Sequence, residues 1–184
     1  MNSFRPTTIV YIATSLDRFI ARTDGSIDWL GEPDPSEDYG WADFIRLIDH
    51  IVMGRNTFEK VLSFGEVWPY EGTPLTVLSS TLDEIPMYLQ GKVDILSLQP
   101  SAVLDHLRNQ GRKRIYVDGG ETIQRFLQAD LIDELILTTL PVLIGSGIPL
   151  FGSIDSDMAW EHVSTKTFNQ GIVQSVYHRN RDLL

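Results

Sequence analysis

Two segments of this chain pass from an apolar, β-branched strand into a helix through glycine. Residues 51–59 read IVMGRNTFE, and residues 115–122 read IYVDGGET. A helix start carries unpaired N–H groups and the positive end of the helix dipole, and glycine lets a ligand approach the backbone, so such turns suit phosphate groups. Either turn alone is an ordinary part of an α/β domain. Together, with Arg55 beside the first helix, they predict a ligand with more than one phosphate.

Strand and helix patterns alternate along most of the chain. The predicted strands cover residues 8–15, 50–53, 75–78, 93–98, 114–117 and 132–142, the helices cover 36–49, 57–62, 101–110 and 120–128, and a hairpin pairs 160–168 with 172–179. Ser36 is the expected N-cap of the first helix. The pattern predicts a single α/β domain over residues 1–184, with a mostly parallel central sheet, helices on both faces and a C-terminal antiparallel hairpin.

Composition excludes several classes of protein. The net charge of −10 argues against a nucleic-acid surface, which needs a basic footprint. The absence of cysteine excludes disulfides and thiolate metal sites, and the four histidines lack metal-ligand spacing, so we expect no metal. No apolar run is long enough to span a membrane, and no signal peptide is visible at the N-terminus. We therefore expect a cytoplasmic protein that acts on a small molecule.

Other common site motifs are missing. There is no G-x-G-x-x-G opening a helix, no glycine loop followed by a Walker lysine and no G-x-S-x-G nucleophile turn. Gly145-Ser146-Gly147 comes nearest to a dinucleotide loop, but Pro149 follows soon after it. A standard Rossmann fold is therefore not expected.

One carboxylate has a position that suggests a ligand. Asp38 lies three residues before Trp41 and seven before Ile45, at the top of the apolar stripe of the first predicted helix. From there it could face a pocket and accept paired N–H bonds from a flat, amidine-like heterocycle. The alternative is a solvated acid in the first turn, which stabilises the helix dipole.

Several short motifs occur along the chain in a particular order and spacing. They are Ile12-Ala13 with residues 16–20, Trp29-Leu30, residues 52–57, Leu78-Ser79-Ser80, residues 117–122 with Phe126-Leu127, and residues 131–138 with Pro141-Val142-Leu143 and Gly145. Through these motifs the chain resembles the dihydrofolate reductase superfamily, most of all the riboflavin-pathway reductases found as the C-terminal half of bacterial bifunctional deaminase-reductases.

The resemblance implies a dihydrofolate-reductase-like three-layer fold that binds NADPH. The phosphates would lie against Gly54, Arg55, Asn56 and Thr57, and the 2′-phosphoribose against Ser79 and Ser80. The double-glycine turn, with Gly119, Gly120, Glu121 and Thr122, would hold the pyrophosphate and nicotinamide, while Ala13 and Ile20 would border the nicotinamide.

The same resemblance assigns a substrate site and an assembly state. Asp38 would be the substrate carboxylate, and Thr138 would support it from the facing strand. Trp29 and Trp41 would wall the pocket, although either could equally belong to the core. The implied activity is NADPH-dependent reduction of a small nitrogen heterocycle, of the kind 5-amino-6-(5-phosphoribosylamino)uracil represents. The riboflavin-type relatives also imply a homodimer.

The chain departs from true folate reductases at the tail of the substrate. Their tail-binding arginine would fall near Thr73, but residues 69–76 contain no cation. For a ribose phosphate, Arg18, Arg22 and Arg46 are candidates by location alone. Two alternatives therefore stay open: a dihydrofolate reductase with an altered tail site, and a non-catalytic nucleotide-binding protein.

Overall fold

The computed structural model describes residues 4–32, 36–65 and 67–183. The strands are β1 Thr7–Thr14, β2 Phe19–Ala21, β3 His50–Gly54, β4 Leu75–Leu78, β5 Val93–Leu96, β6 Arg114–Asp118, β7 Glu134–Thr139, β8 Ile148–Pro149, β9 Trp160–Thr167 and β10 Val173–Arg179. The α-helices are α1 Trp41–Leu47, α2 Arg55–Leu62, α3 Pro100–Asn109 and α4 Gly120–Gln128.

Eight strands form the central sheet in the order β5-β4-β3-β6-β1-β7-β10-β9. The first six are parallel to one another, while β10 runs antiparallel to both β7 and β9. The predicted α/β architecture, a mostly parallel sheet that ends in an antiparallel hairpin, is confirmed.

Two apolar cores lie on opposite faces of this sheet. Successive side chains of a strand point to opposite faces, so neighbours such as Ile9 and Val10 enter different cores. Ile9 packs in the cluster that includes residues of α1 and α2, and Val10 packs in the cluster that includes residues of α3 and α4. The helices therefore cover both faces, which gives three layers.

Helix α1 begins later than the sequence pattern predicts. Tyr39 and Gly40 have φ values of 54° and 87°, in the left-handed region that a right-handed helix cannot contain. The helix starts at Trp41 instead of at Ser36. Asp38 supplies the cap, since its carboxylate oxygens accept hydrogen bonds from the N–H groups of Gly40 and Ala42, at 2.9 and 3.0 Å.

Strand β7 is shorter than predicted, and a small second sheet was not foreseen. The ladder of β7 ends just before Leu140 and Pro141, where proline has no N–H to donate. The second sheet pairs β2 with β8, and strands of three and two residues are too short to leave a clear pattern. Within the described ranges, no helix is long and apolar enough to cross a membrane.

Candidate active site

A cleft of about 1310 Å³ opens along the carboxyl ends of β3, β4, β5 and β6. Ligands of open parallel sheets bind at this edge, because the loops and helix starts that follow the strands meet there. Side chains of β1 and β2 complete the wall of the cleft. Its volume exceeds the several hundred Å³ typical of a single small-molecule pocket, so the cleft has room for an extended ligand beside a second one.

The two glycine turns of the sequence pack against each other in this cleft. A Cβ atom on Gly54 would lie 2.9 Å from Thr122 Oγ1, and one on Gly119 would overlap Thr57 Oγ1. Gly119 also has a φ of 90°, which few side chains tolerate. Glycine therefore brings the starts of α2 and α4 side by side, and their unpaired first-turn N–H groups provide a cradle that fits a pyrophosphate.

One end of the cleft carries a cation and several hydroxyl groups. Arg55 Nε donates to Glu59 at 2.6 Å, and its Nη1 donates to Thr81 Oγ1 at 3.0 Å. Ser79 Oγ accepts the N–H groups of Thr81 and Leu82, at 3.1 and 2.9 Å. These bonds fix the loop after β4 beside the start of α2, where a phosphorylated ribose would find both charge and hydrogen-bond donors.

The other part of the cleft is lined by aromatic rings. The Trp41 ring lies 5.5 Å from Tyr11, 6.0 Å from Tyr116 and 6.3 Å from Tyr70, measured between ring centroids. All four side chains line the cleft. Such edge-to-face and tilted contacts hold the rings rigidly, and their faces offer apolar surface to a flat heterocycle.

Asp118 stands at the end of β6, between the aromatic wall and the second glycine turn. Its Oδ1 accepts the Gly119 N–H at 2.8 Å. Burial raises the pKa of Asp118 to about 6, although hydrogen bonds from Gly119 and Tyr116 oppose that rise. Burial, with a smaller contribution from the nearby Asp118 carboxylate, raises the pKa of Tyr70 and Tyr116. A carboxyl group that titrates near neutrality in a cleft is suited to proton transfer.

Asp118 belongs to the double-glycine motif, for which the sequence analysis predicts a cofactor role at the glycines and no role at Asp118. A signal for it was available. Residues two apart on a strand share a face, so Asp118 lies on the same side as Tyr116. A carboxylate at the carboxyl end of a buried strand, just before glycine, is placed at the edge where ligands bind.

The structure brings all of the predicted cofactor residues into this one cleft. They come from β1, β2, the loop after β4 and both helix starts, and they are Ala13, Ile20, Gly54, Arg55, Asn56, Thr57, Ser79, Ser80, Gly119, Gly120, Glu121 and Thr122. Their roles toward a cofactor stay predictions, but their convergence from distant parts of the sequence is observed.

Three of the four predicted substrate residues lie elsewhere. Asp38 is exposed and caps α1, so the expectation that it faces a pocket is not met in this geometry. Thr138 is buried and accepts a hydrogen bond from Gln174 Nε2 at 2.9 Å. Trp29 is buried against Leu140 and other residues at the hairpin end of the molecule. Trp41, in contrast, does line the cleft.

None of the three arginines considered for a ribose phosphate lines the cleft. Arg22 Nε pairs with Asp28 at 2.6 Å, and the exposed Arg46 pairs with Asp43. Arg18 donates to Thr139 Oγ1 at 2.8 Å. Within the described residues, no group of three or more histidine or acidic side chains is arranged to hold a metal ion.

Comparison with protein families gives a match over almost the whole chain. The model of the RibD C-terminal domain matches residues 6–174. The uncharacterized protein YwjB of Bacillus subtilis is 36% identical over 166 residues, which is 90% of this chain and 94% of YwjB. The uncharacterized protein YyaP of the same organism is 32% identical, over 94% of each chain.

Solved structures agree with this assignment. A Shewanella sp. PV-4 protein named for riboflavin biosynthesis is 41% identical, with a TM-score of 0.90 over 95% of this chain and 99% of that one. A Thermotoga maritima deaminase and 5-amino-6-(5-phosphoribosylamino)uracil reductase shares the fold, at 15% identity and a TM-score of 0.71, over 96% of this chain and 57% of that one. By sequence and by fold, the chain belongs to the RibD C-terminal domain family, within the dihydrofolate-reductase-like superfamily.

Proposed function

We propose that this protein is an NADPH-dependent reductase of a small nitrogen heterocycle, of the riboflavin-pathway type. The observation that carries the proposal is the meeting of the two glycine turns beside Asp118 in a single cleft. The turns fit a pyrophosphate, and the carboxyl group and aromatic rings next to them suit a flat substrate. NADPH, when bound, would supply the hydride for the reduction.

In this proposal the chain orients two ligands in one cleft. The helix starts at Gly54 and Gly119 hold the pyrophosphate, and the end near Arg55, Ser79 and Ser80 holds the 2′-phosphoribose. Ala13 and Ile20 border the nicotinamide. Positioning of this kind supplies a large part of the rate enhancement in two-ligand reactions.

Asp118 is the group that we propose to contact the substrate. Its carboxyl group, whose Oδ1 accepts the Gly119 N–H, would hold a proton or accept an N–H from the heterocycle. Reduction of a carbon–nitrogen double bond adds a hydride to carbon and a proton to nitrogen. A carboxyl group with a pKa of about 6 is partly protonated near neutrality and can deliver that proton.

An assay of NADPH oxidation tests the proposal. The protein is supplied with NADPH and either 5-amino-6-(5-phosphoribosylamino)uracil or dihydrofolate. Turnover with the aminopyrimidine supports the riboflavin-type reading, and turnover with dihydrofolate alone supports the altered folate reductase. Tight binding of NADPH without turnover of either compound would indicate a non-catalytic nucleotide-binding protein and would contradict the proposed reductase activity.

We also propose that the protein works as a homodimer in the cytoplasm. The dimer would cover the edge strand β9, most of whose residues are exposed. A chain without cysteine fits the reducing cytoplasm that this proposal assigns to it.

A further inference from the structure

We propose that Lys60 is a specificity residue, which binds an anionic group on the substrate, a phosphate or a carboxylate. The inference rests on the proposed function, because it concerns the substrate half of the same cleft. It answers a question that the sequence left open, namely which cation holds the charged tail of the substrate.

The distribution of cations in the molecule singles out Lys60. All 15 lysine and arginine residues lie in the described ranges, and three of them, Arg55, Lys60 and Arg125, line the cleft. Arg55 is paired with Glu59, and Arg125 donates to Gln99 Oε1 at 3.2 Å. The side-chain ammonium of Lys60 makes neither an ion pair nor a hydrogen bond with the described residues, so its charge is available to a ligand.

Helix geometry places Lys60 on the substrate side of α2. Lys60 lies in the last turn of α2, about 7.5 Å along the helix axis from Arg55 and the helix start that would hold the pyrophosphate. It shares a helix face with Thr57, which packs against Gly119, the neighbour of Asp118. Arg55 and Glu59 lie on a different face, from which Arg55 reaches Thr81. The two cleft cations of α2 are therefore directed to different parts of the cleft.

The surroundings of Lys60 fit a partly exposed substrate tail. Its Nζ lies 5.7 Å from the centre of the Phe64 ring, and Phe64 is 62% exposed although it also lines the cleft. An aromatic ring and an ammonium group at the mouth of a cleft offer stacking area and charge together. A heterocycle against Trp41 and Asp118 would therefore extend an anionic tail toward Lys60.

The test compares two pairs of ligands that differ only in the anion. One pair is 5-amino-6-(5-phosphoribosylamino)uracil and its dephosphorylated form, and the other is dihydrofolate and its diamide, in which both glutamate carboxylates are replaced by neutral amides. Dissociation constants are measured in the presence of NADPH, and KM and kcat are added wherever turnover occurs. The phosphate pair and the carboxylate pair reveal which anion is recognised.

We expect the unmodified protein to bind one anionic ligand about tenfold or more tightly than its neutral partner. Lys60→Met should abolish that preference through KM or the dissociation constant, and Lys60→Arg should keep most of it. Loss of a hydrogen bond to a charged group has an effect of this size. Lys92→Met is the matched control, because Lys92 pairs with Glu71 at the other end of β5 and does not line the cleft.

Two results would overturn the assignment. One is an unmodified protein that shows no preference for either anion, and the other is a preference that Lys60→Met leaves intact. A drop in NADPH affinity in Lys60→Met would instead place Lys60 at the cofactor and would equally contradict it. Because binding is measured directly, absence of turnover would count against the reductase activity and still leave the role of Lys60 decided by the dissociation constants.

Discussion

At the scale of single residues, Asp38 and Asp118 are the two candidates for the carboxylate that binds the substrate, and their positions in the structure distinguish them. Asp38 is exposed, and both of its oxygens are used to cap α1. Those hydrogen bonds lower the pKa of Asp38. Asp118 lies in the cleft, and burial raises its pKa. The first pattern is typical of a structural cap, and the second is typical of a group that exchanges protons with a ligand.

Asp38→Ala should therefore affect mainly the stability of the protein, whereas Asp118→Asn should affect mainly its catalytic efficiency. Asp38→Ala should lower the unfolding free energy, as the loss of a helix cap does, with little change in kcat/KM. Asp118→Asn should lower kcat/KM at least tenfold, since it removes the proton and the charge. Urea unfolding and steady-state kinetics on both variants measure this. A kinetic defect confined to the Asp38 variant would return the substrate role to Asp38.

At the scale of elements, the strands and helices were predictable where a regular spacing of apolar residues coincided with a residue type that marks the start or the end of an element. Gly120 marks the start of α4, and the apolar run of residues 75–78 coincides with β4. The start of α1 was not predictable in the same way, because the positive φ of Tyr39 is set by tertiary contacts. Its carbonyl oxygen accepts hydrogen bonds from Tyr11 and Gln174, residues far away in the sequence.

The same distinction holds for the candidate site. Gly54 and Gly119 are recognisable from local sequence, because a glycine turn before a helix is a local pattern. The role proposed for Lys60 depends on which cations are already paired, and those pairs are made by folding. Asp118 lies between these cases. The two-residue repeat of a strand predicts the face of the sheet on which it lies, but it does not predict the burial that raises its pKa.

The packing of the two glycine turns makes a prediction about their substitution. Gly54→Ala should destabilise the protein by roughly 1–3 kcal/mol, the cost of overpacking, because its Cβ would crowd Thr122 Oγ1. Adding Thr122→Ala removes that atom and should restore part of the loss. Gly119→Ala should not be rescued by Thr57→Ala, because the φ of 90° remains strained. Thermal unfolding of the single and double variants checks this, and equal rescue at both glycines would refute the packing described.

At the scale of the whole molecule, the buried His50 and the half-buried Asp118 give the folding stability opposite dependences on pH. His50 is 2% exposed, and burial lowers its pKa to about 4. The folded state thus binds fewer protons there than the unfolded state, and stability is lost as pH falls from about 6.5 to about 4. For Asp118 the pKa rises to about 6, so the folded state binds more protons and stability is lost as pH rises from about 4 to about 6.

The contribution of each group to the pH dependence of stability can be measured by replacing the group and comparing the variant with the unmodified protein. As pH rises from 4 to 7.5, the unfolding free energy of Asp118→Asn should increase by about 2–3 kcal/mol relative to that of the unmodified protein, since each pKa unit corresponds to 1.36 kcal/mol. Over the same rise in pH, the unfolding free energy of His50→Gln should decrease by a similar amount relative to that of the unmodified protein. Urea unfolding at both pH values measures these differences. Parallel pH profiles for either variant and the unmodified protein would contradict the assigned shift.

The hairpin at the edge of the sheet bears on assembly. Val163 is 49% exposed on β9, whereas Ile172 is 8% exposed and belongs to the interior. The unpaired edge of β9 still offers backbone groups to a second copy. We expect light scattering to give twice the monomer mass of 20.8 kDa. A monomer mass at every concentration tested would exclude the homodimer.

The most direct measurement of the central claim is a calorimetric titration of the protein with NADPH and with NADH. Arg55 is the cleft cation beside Thr81 and the Ser79-Ser80 loop, so NADPH should bind more tightly than NADH. Arg55→Ala should remove most of that preference, about ten- to a hundredfold, the effect expected for a lost hydrogen bond between charged groups. Arg46→Ala, an exposed arginine outside the cleft, should bind as the unmodified protein does. Equal affinities for the two cofactors, or no binding of either, would contradict the account.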